Sequence, residues 1–248
     1  MSTAVNSEDI NVVDRILAMV QALGKEGFPS CVVGAAALNY YGVPMPVEDV
    51  EICVPADKLK QATDVLAKDV RYESRGYTRP ELRSLTRMYQ LYALKGHADD
   101  LCFRIMPTTD HFVHFNPATD TEYSKHRAPF PSRIVFAKGL LATQRLVYLV
   151  QLIDGLNLSA DWGHKNLNLS VPIDAGYIAN MNKAILESLT KLKKKAVKLP
   201  EHPDLKKQWD HAVSRKTVRI DESLRSRRET QYRIIGAGDP TKSSKSMG

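Results

Sequence analysis

Asp49 and Glu51 stand two residues apart in Asp49-Val50-Glu51-Ile52-Cys53-Val54, which alternates polar with apolar side chains until Pro55 closes it. Such alternation predicts a strand, with both carboxylates on one face and Val50, Ile52 and Val54 on the other. Carboxylates so placed lie roughly 6 to 7 Å apart and repel by on the order of 2 to 3 kcal/mol at an effective dielectric of about 20. A bound cation reverses that sign. An oxygen-only ligand set suits Mg²⁺ or Mn²⁺, which keep several waters and share the remaining positions with substrate phosphates. A bare Asp-x-Glu is more often the solvated face of an edge strand, so its surroundings matter.

Those surroundings begin with the apolar run Cys31-Val32-Val33, which ends at Gly34. Ala35 to Tyr41 then suits a short helix that Gly42 and Pro44 stop, so the order is strand, tight turn, helix, acidic strand. The small residues at 34 to 37 let a phosphate approach the backbone N–H groups at the helix start, where the helix dipole also favours negative charge. An anion cradle beside an acid pair suggests nucleotide chemistry.

A strand ending in Gly-Gly or Gly-Ser, a short helix, and then an acid, an apolar residue and a second acid form the signature of the nucleotidyltransferase superfamily, the DNA polymerase β-like fold. Gly34-Ala35 followed by Asp49-Val50-Glu51 resembles it, with Ala35 departing from the family's Gly or Ser. Ala keeps the backbone N–H and lacks the hydroxyl. The flanking Ala37-Leu-Asn-Tyr-Tyr-Gly-Val-Pro44 and Glu51-Ile-Cys-Val-Pro55 are similar to a poorly characterised fungal group of this superfamily.

A second strand is predicted in Asp100-Leu-Cys-Phe-Arg-Ile-Met-Pro107, with Leu101, Phe103 and Ile105 on one face and Asp100, Cys102 and Arg104 on the other. The resemblance places a third acid at the start of such a strand, which maps onto Asp100; Asp99 is the runner-up, since a one-residue slip changes the face. It implies that Asp49, Glu51 and Asp100 hold Mg²⁺ or Mn²⁺, that Asp100 is also the candidate base, and that Gly34, Ala35 and Lys138 support the nucleotide. The implied reaction moves a nucleoside monophosphate from a nucleoside triphosphate to an unidentified acceptor. Three uncompensated carboxylates would raise one another's pKa, so replacing one is expected to leave stability unchanged or increased.

The 248 residues, 43% hydrophobic and 25% charged, describe an ordinary globular chain. No apolar run is long enough to span a bilayer and the start is unlike a signal peptide, so a cytoplasmic or nuclear location without membrane association is expected. Cys31, Cys53 and Cys102 show no CxxC spacing and are expected as buried free thiols. From residue 180 onward the chain has 17 Lys and Arg against 8 Asp and Glu, while the first 179 residues have 18 against 20. Without interleaved aromatics or a recognised DNA-binding signature, this basic third suits the wet face of helices, and duplex DNA is not an expected partner.

The expected fold is α+β, a nucleotidyltransferase-like mixed sheet flanked by helices over residues 1–132, then a helical domain over 133–235 and a disordered tail over 236–248. Outer helices are predicted over 9–23 and 56–69, strands over 85–94 and 100–107, and irregular chain over 71–80 and 108–132. A buried helix over 136–156, a loop over 159–172 and helices over 173–199 and 203–235 follow. His111-Phe-Val-His114 has HxxH spacing without nearby ligands to complete a zinc site. The alternative to catalysis is a silent member of the fold that binds nucleotide, nucleic acid or a protein.

Overall fold

The computed structural model describes residues 12–43, 45–79, 81, 86, 88–96, 101–191, 199 and 203–216. The acidic stretch forms β2 (Asp49–Val54) within a five-stranded sheet. Its spatial order is β1 (Cys31–Val33), β2, β5 (Cys102–Pro107), β4 (Gln90–Leu94) and β3 (Tyr72–Tyr77). β2 and β5 are parallel and the other neighbours antiparallel, which makes the sheet mixed and the fold α+β.

The two faces separate as the alternation requires. Val32 pairs with Ile52, Val50 with Phe103 and Ile52 with Ile105. These side chains are buried in one cluster with Ile16, Met19 and Leu23 of α1 (Val12–Lys25) and Ala62 and Leu66 of α3 (Leu59–Lys68). On the opposite face Cys31, Val33, Cys53, Met106 and Tyr89 pack with Phe112. Glu51 and Arg104 share that second face by register and interrupt it with charge.

Helix α2 (Gly34–Tyr40) starts directly after β1. The return to β2 is clamped by Asn39: its Nδ2 donates to Met45 O at 2.9 Å, and Met45 N donates to its Oδ1 at 2.8 Å. This pair of bonds satisfies backbone groups in the loop and holds the acidic strand in place behind the glycine turn.

Several local expectations are revised. Residues 72–77 form edge strand β3, whose side chains beyond Ser74 are exposed and whose register shifts between Ser74 and Tyr77, so no hydrophobic period marks it. The 108–132 crossing contains α4 (Pro117–Asp120), capped by the Asn116 side chain, and the hairpin β6 (Thr121–Tyr123) and β7 (Pro129–Pro131). Pro129 and Pro131 lack N–H groups, which suits a two-stranded pairing and hides it from alternation rules. The expected 136–156 helix is two, α5 (Arg133–Ala142) and α6 (Leu146–Gly155), broken where Gln144 takes φ +58°. The expected loop at 159–172 holds α7 (Ala160–Asn166), whose Ser159 cap accepts from Trp162 N.

Helices α8 (Ala175–Lys191) and α9 (Leu205–Ser214) complete the described chain. Trp209 of α9 is fully buried against Gly163, where any Cβ would collide with its indole. The expected boundary at 132–133 falls between β7 and α5, and the buried cluster runs continuously across it from Ile16 through Phe130 to Trp209. The expected helix beyond residue 216 and the tail at 236–248 lie outside the described residues. None of the three cysteines forms a disulfide; Cys31 and Cys53 are buried and Cys102 is partly exposed. Among the described residues no helix is long and apolar enough to cross a membrane.

Candidate functional site

β5 sets Cys102 beside Asp49 and Arg104 beside Glu51, so the strand next to the acid pair presents a guanidinium. Arg104 Nη2 donates to Asp49 Oδ2 at 3.0 Å, while its Nη1 lies 3.6 Å from Glu51 Oε1 and donates to Glu81 Oε1 at 2.5 Å. Glu51 is buried between β1 and β5 and rests against Gly34. A Cβ on residue 34 would come within 2.5 Å of Glu51 Oε2, and Gly34 has φ +64°. Only glycine meets both demands without strain.

On its other side Glu51 meets the buried ring of His111, whose Nε2 lies 3.2 Å from Oε2 without hydrogen-bond geometry. Arg145, at the break between α5 and α6, donates through Nε to Asp110 O at 3.2 Å and places Nη2 3.8 Å from Glu81 Oε2. Tyr89 donates to the buried Asp110 carboxylate at 2.7 Å.

The expectation of mutually repelling carboxylates with raised pKa values is therefore corrected for Glu51. Burial pushes its pKa up, but the His111 contact and the Arg145 and Arg104 charges outweigh burial and bring it down to about 2. Burial, then the nearby Arg145 charge, lowers the His111 pKa, so at neutral pH the ring is the neutral imidazole. Glu81 shifts the other way: burial raises its pKa and the attraction of Arg145 and Arg104 does not fully offset it. Arg104 Nε and Arg145 Nη2 are buried donors without a hydrogen-bond acceptor among the described residues.

The donor set can be tested against a divalent ion. Asp49 is partly exposed, and the buried Glu51 Oε2 accepts no hydrogen bond, so the pair offers hard oxygen atoms on one strand face. Asp49 and Glu51 fit as two ligands, leaving other positions to water and substrate oxygens. Among the described residues no group of three or more metal-ligating side chains gathers. A cation at this pair competes with Arg104 for the same carboxylates.

No protein-family model and no curated protein matches the chain. Among solved structures it is similar to ANT(2")-Ia, determined in complex with adenylyl-2"-tobramycin, at 10% identity and a TM-score of 0.37, over 82% of this chain and 97% of that one. It is also similar to a protein of H. pylori assigned to the nucleotidyltransferases, at 14% identity and a TM-score of 0.38, over 86% of this chain and 94% of that one. Likeness at this level gives no side chain a role.

Of the residues singled out in the sequence, Asp49, Glu51 and Gly34 come together, with Ala35 next in α2. Asp100 and Asp99 lie outside the described residues. Lys138 is exposed on α5 and lines a cavity of about 420 Å³ with Phe112, His114, Leu141 and Ile173; none of Asp49, Glu51 and Gly34 lines it. The HxxH residues part company, His111 against Glu51 and His114 at that cavity. Sequence reasoning left Glu81 and Arg145 unassigned. Thr143-Gln144-Arg145, a polar triplet inside an otherwise apolar helical run, was the available signal for Arg145.

Proposed function

We propose that the protein transfers a nucleoside monophosphate from a nucleoside triphosphate to an acceptor hydroxyl, with release of pyrophosphate. The observation that supports this best is the contact between Gly34 and Glu51, which joins the small-residue turn and the strand-borne acid pair in one site. In this reading Asp49 and Glu51 hold Mg²⁺ or Mn²⁺, which when bound stabilises charge on the attacking and leaving oxygens. Gly34 and Ala35 offer backbone N–H groups to the triphosphate. The acceptor oxygen attacks the α-phosphorus as the bond to the pyrophosphate oxygen breaks, and Asp100 is proposed to take the acceptor proton.

A second reading, nucleotide binding without turnover, is favoured by Arg104, which already supplies a cation to both acids. The two are separated by incubating the protein and Mg²⁺ with triphosphate labelled at the α- or γ-phosphorus and a pool of small hydroxyl compounds, RNA ends and proteins. Transfer predicts α-label on an acceptor, γ-label only in pyrophosphate, and loss of both signals in Asp49→Asn. Bound triphosphate that stays intact under all conditions supports the second reading.

A further inference from the structure

Two guanidiniums from distant parts of the chain, Arg104 of β5 and Arg145 at the α5–α6 break, converge on the single carboxylate of Glu81. Each is largely buried, with side chains 19% and 13% exposed. Glu81 satisfies them incompletely. It takes one short bond from Arg104 Nη1, while Arg145 Nη2, at 3.8 Å, is beyond hydrogen-bond reach and has no other acceptor among the described residues. An orphaned buried donor on a charged group is costly, and the Glu81 carboxylate, drawn to Arg104 through Oε1, leaves Oε2 too far from Arg145 to satisfy it.

We propose that Arg104 and Arg145 form an anion site for a phosphoryl group, and that Glu81 occupies it as an internal stand-in which an arriving phosphate displaces. The chemistry matches: a phosphate presents several acceptor oxygens in a tetrahedron and is the anion that paired arginine forks bind best. The burial that raises the Glu81 pKa makes its carboxylate a poorly held occupant. Asp49 need not release Arg104 in the exchange, because Arg104 holds Asp49 through Nη2 and Glu81 through Nη1. The site deepens the nucleotide reading above by naming where a phosphoryl group is held, and its test does not depend on turnover.

The test is calorimetric titration of the full chain with inorganic tripolyphosphate and, separately, ATP, without metal and at physiological salt, where binding to exposed lysines is weak. Wild type is compared with Glu81→Gln and Arg145→Lys. Glu81→Gln removes the competing charge and keeps the side-chain shape, so both probes should bind about tenfold tighter than to wild type. Arg145→Lys keeps the charge and loses the fork, and should weaken binding by about tenfold. ATP bound more tightly than tripolyphosphate would assign the site to a nucleotide, and equal affinities to a free polyphosphate; both support it. Unchanged or weaker binding in Glu81→Gln overturns the proposal, as does binding indifferent to Arg145→Lys. Glu81 is partly exposed, so its variant keeps the fold and decides alone if Arg145→Lys does not fold. Pyrophosphate release plays no part in this readout, so absence of transferase activity leaves it standing.

Discussion

Gly34 and Glu51 are fitted to each other: the carboxylate of one fills the space a side chain on the other would need, and Gly34 has a left-handed backbone. Gly34→Ala therefore meets two penalties, about 1 kcal/mol or more for the backbone and a further 1 to 3 kcal/mol, roughly, for displacing a buried group. Urea unfolding should show a loss of about 2 kcal/mol or more, the sum of the lower ends of those two penalties, and triphosphate binding should weaken. A Gly34→Ala variant as stable as wild type would mean that the contact is loose.

Glu51→Gln should be destabilising at pH 7, by about 1 to 3 kcal/mol, since it leaves the surrounding buried cations less compensated. This reverses the expectation drawn from mutual repulsion. The Glu51 pKa is lowered from 4.5 to about 2 on folding, so its stabilisation is complete above pH 4.5 and disappears as pH falls toward 2. The stability gap between wild type and Glu51→Gln, followed by urea unfolding, should be flat from about pH 7 to about 5 and close below. A gap that widens on acidification has the wrong sign.

Gly163→Ala tests the helical part. Its new methyl group meets the fully buried Trp209 ring, which donates through Nε1 to Ala160 O at 3.3 Å. Overpacking of this kind costs about 1 to 3 kcal/mol and should shift Trp fluorescence in the folded protein. Unaltered fluorescence and stability would place α7 and α9 further apart than described.

The basic C-terminal third should not bind duplex DNA with nanomolar affinity at physiological salt, because acids are distributed among its lysines and arginines. Fluorescence anisotropy with a labelled duplex checks this; tight binding that falls steeply with salt would refute it.

The strands around the site were legible because their pattern is strong. Alternation in 49–54 and 100–107 places Asp49 and Glu51 opposite Val50 and Ile52, and Cys102 and Arg104 opposite Phe103 and Ile105, as the described residues show. What alternation does not contain is which side chains from distant segments come to that face. His111 follows a one-turn 3-10 helix, Glu81 precedes β4 and Arg145 sits at a helix break, so their meeting around the acid pair is a product of tertiary packing. The electrostatic sign of the site depends on His111, Arg145 and Arg104, and a carboxylate count alone puts it the wrong way round. Edge strand β3 and the β6–β7 hairpin were missed for a simpler reason: exposed or proline-bearing strands need no hydrophobic period.

Whether Asp49 and Glu51 act with a divalent ion on a triphosphate is tested most directly by calorimetry of ATP binding with and without Mg²⁺. Wild type should bind about tenfold or more tightly with Mg²⁺, because the metal joins the two carboxylates to phosphate oxygens. Asp49→Asn should erase that difference while remaining folded. Affinity that is equal with and without Mg²⁺ and indifferent to Asp49→Asn would contradict the transferase reading and leave a nucleotide-binding protein whose acids are served by Arg104 alone.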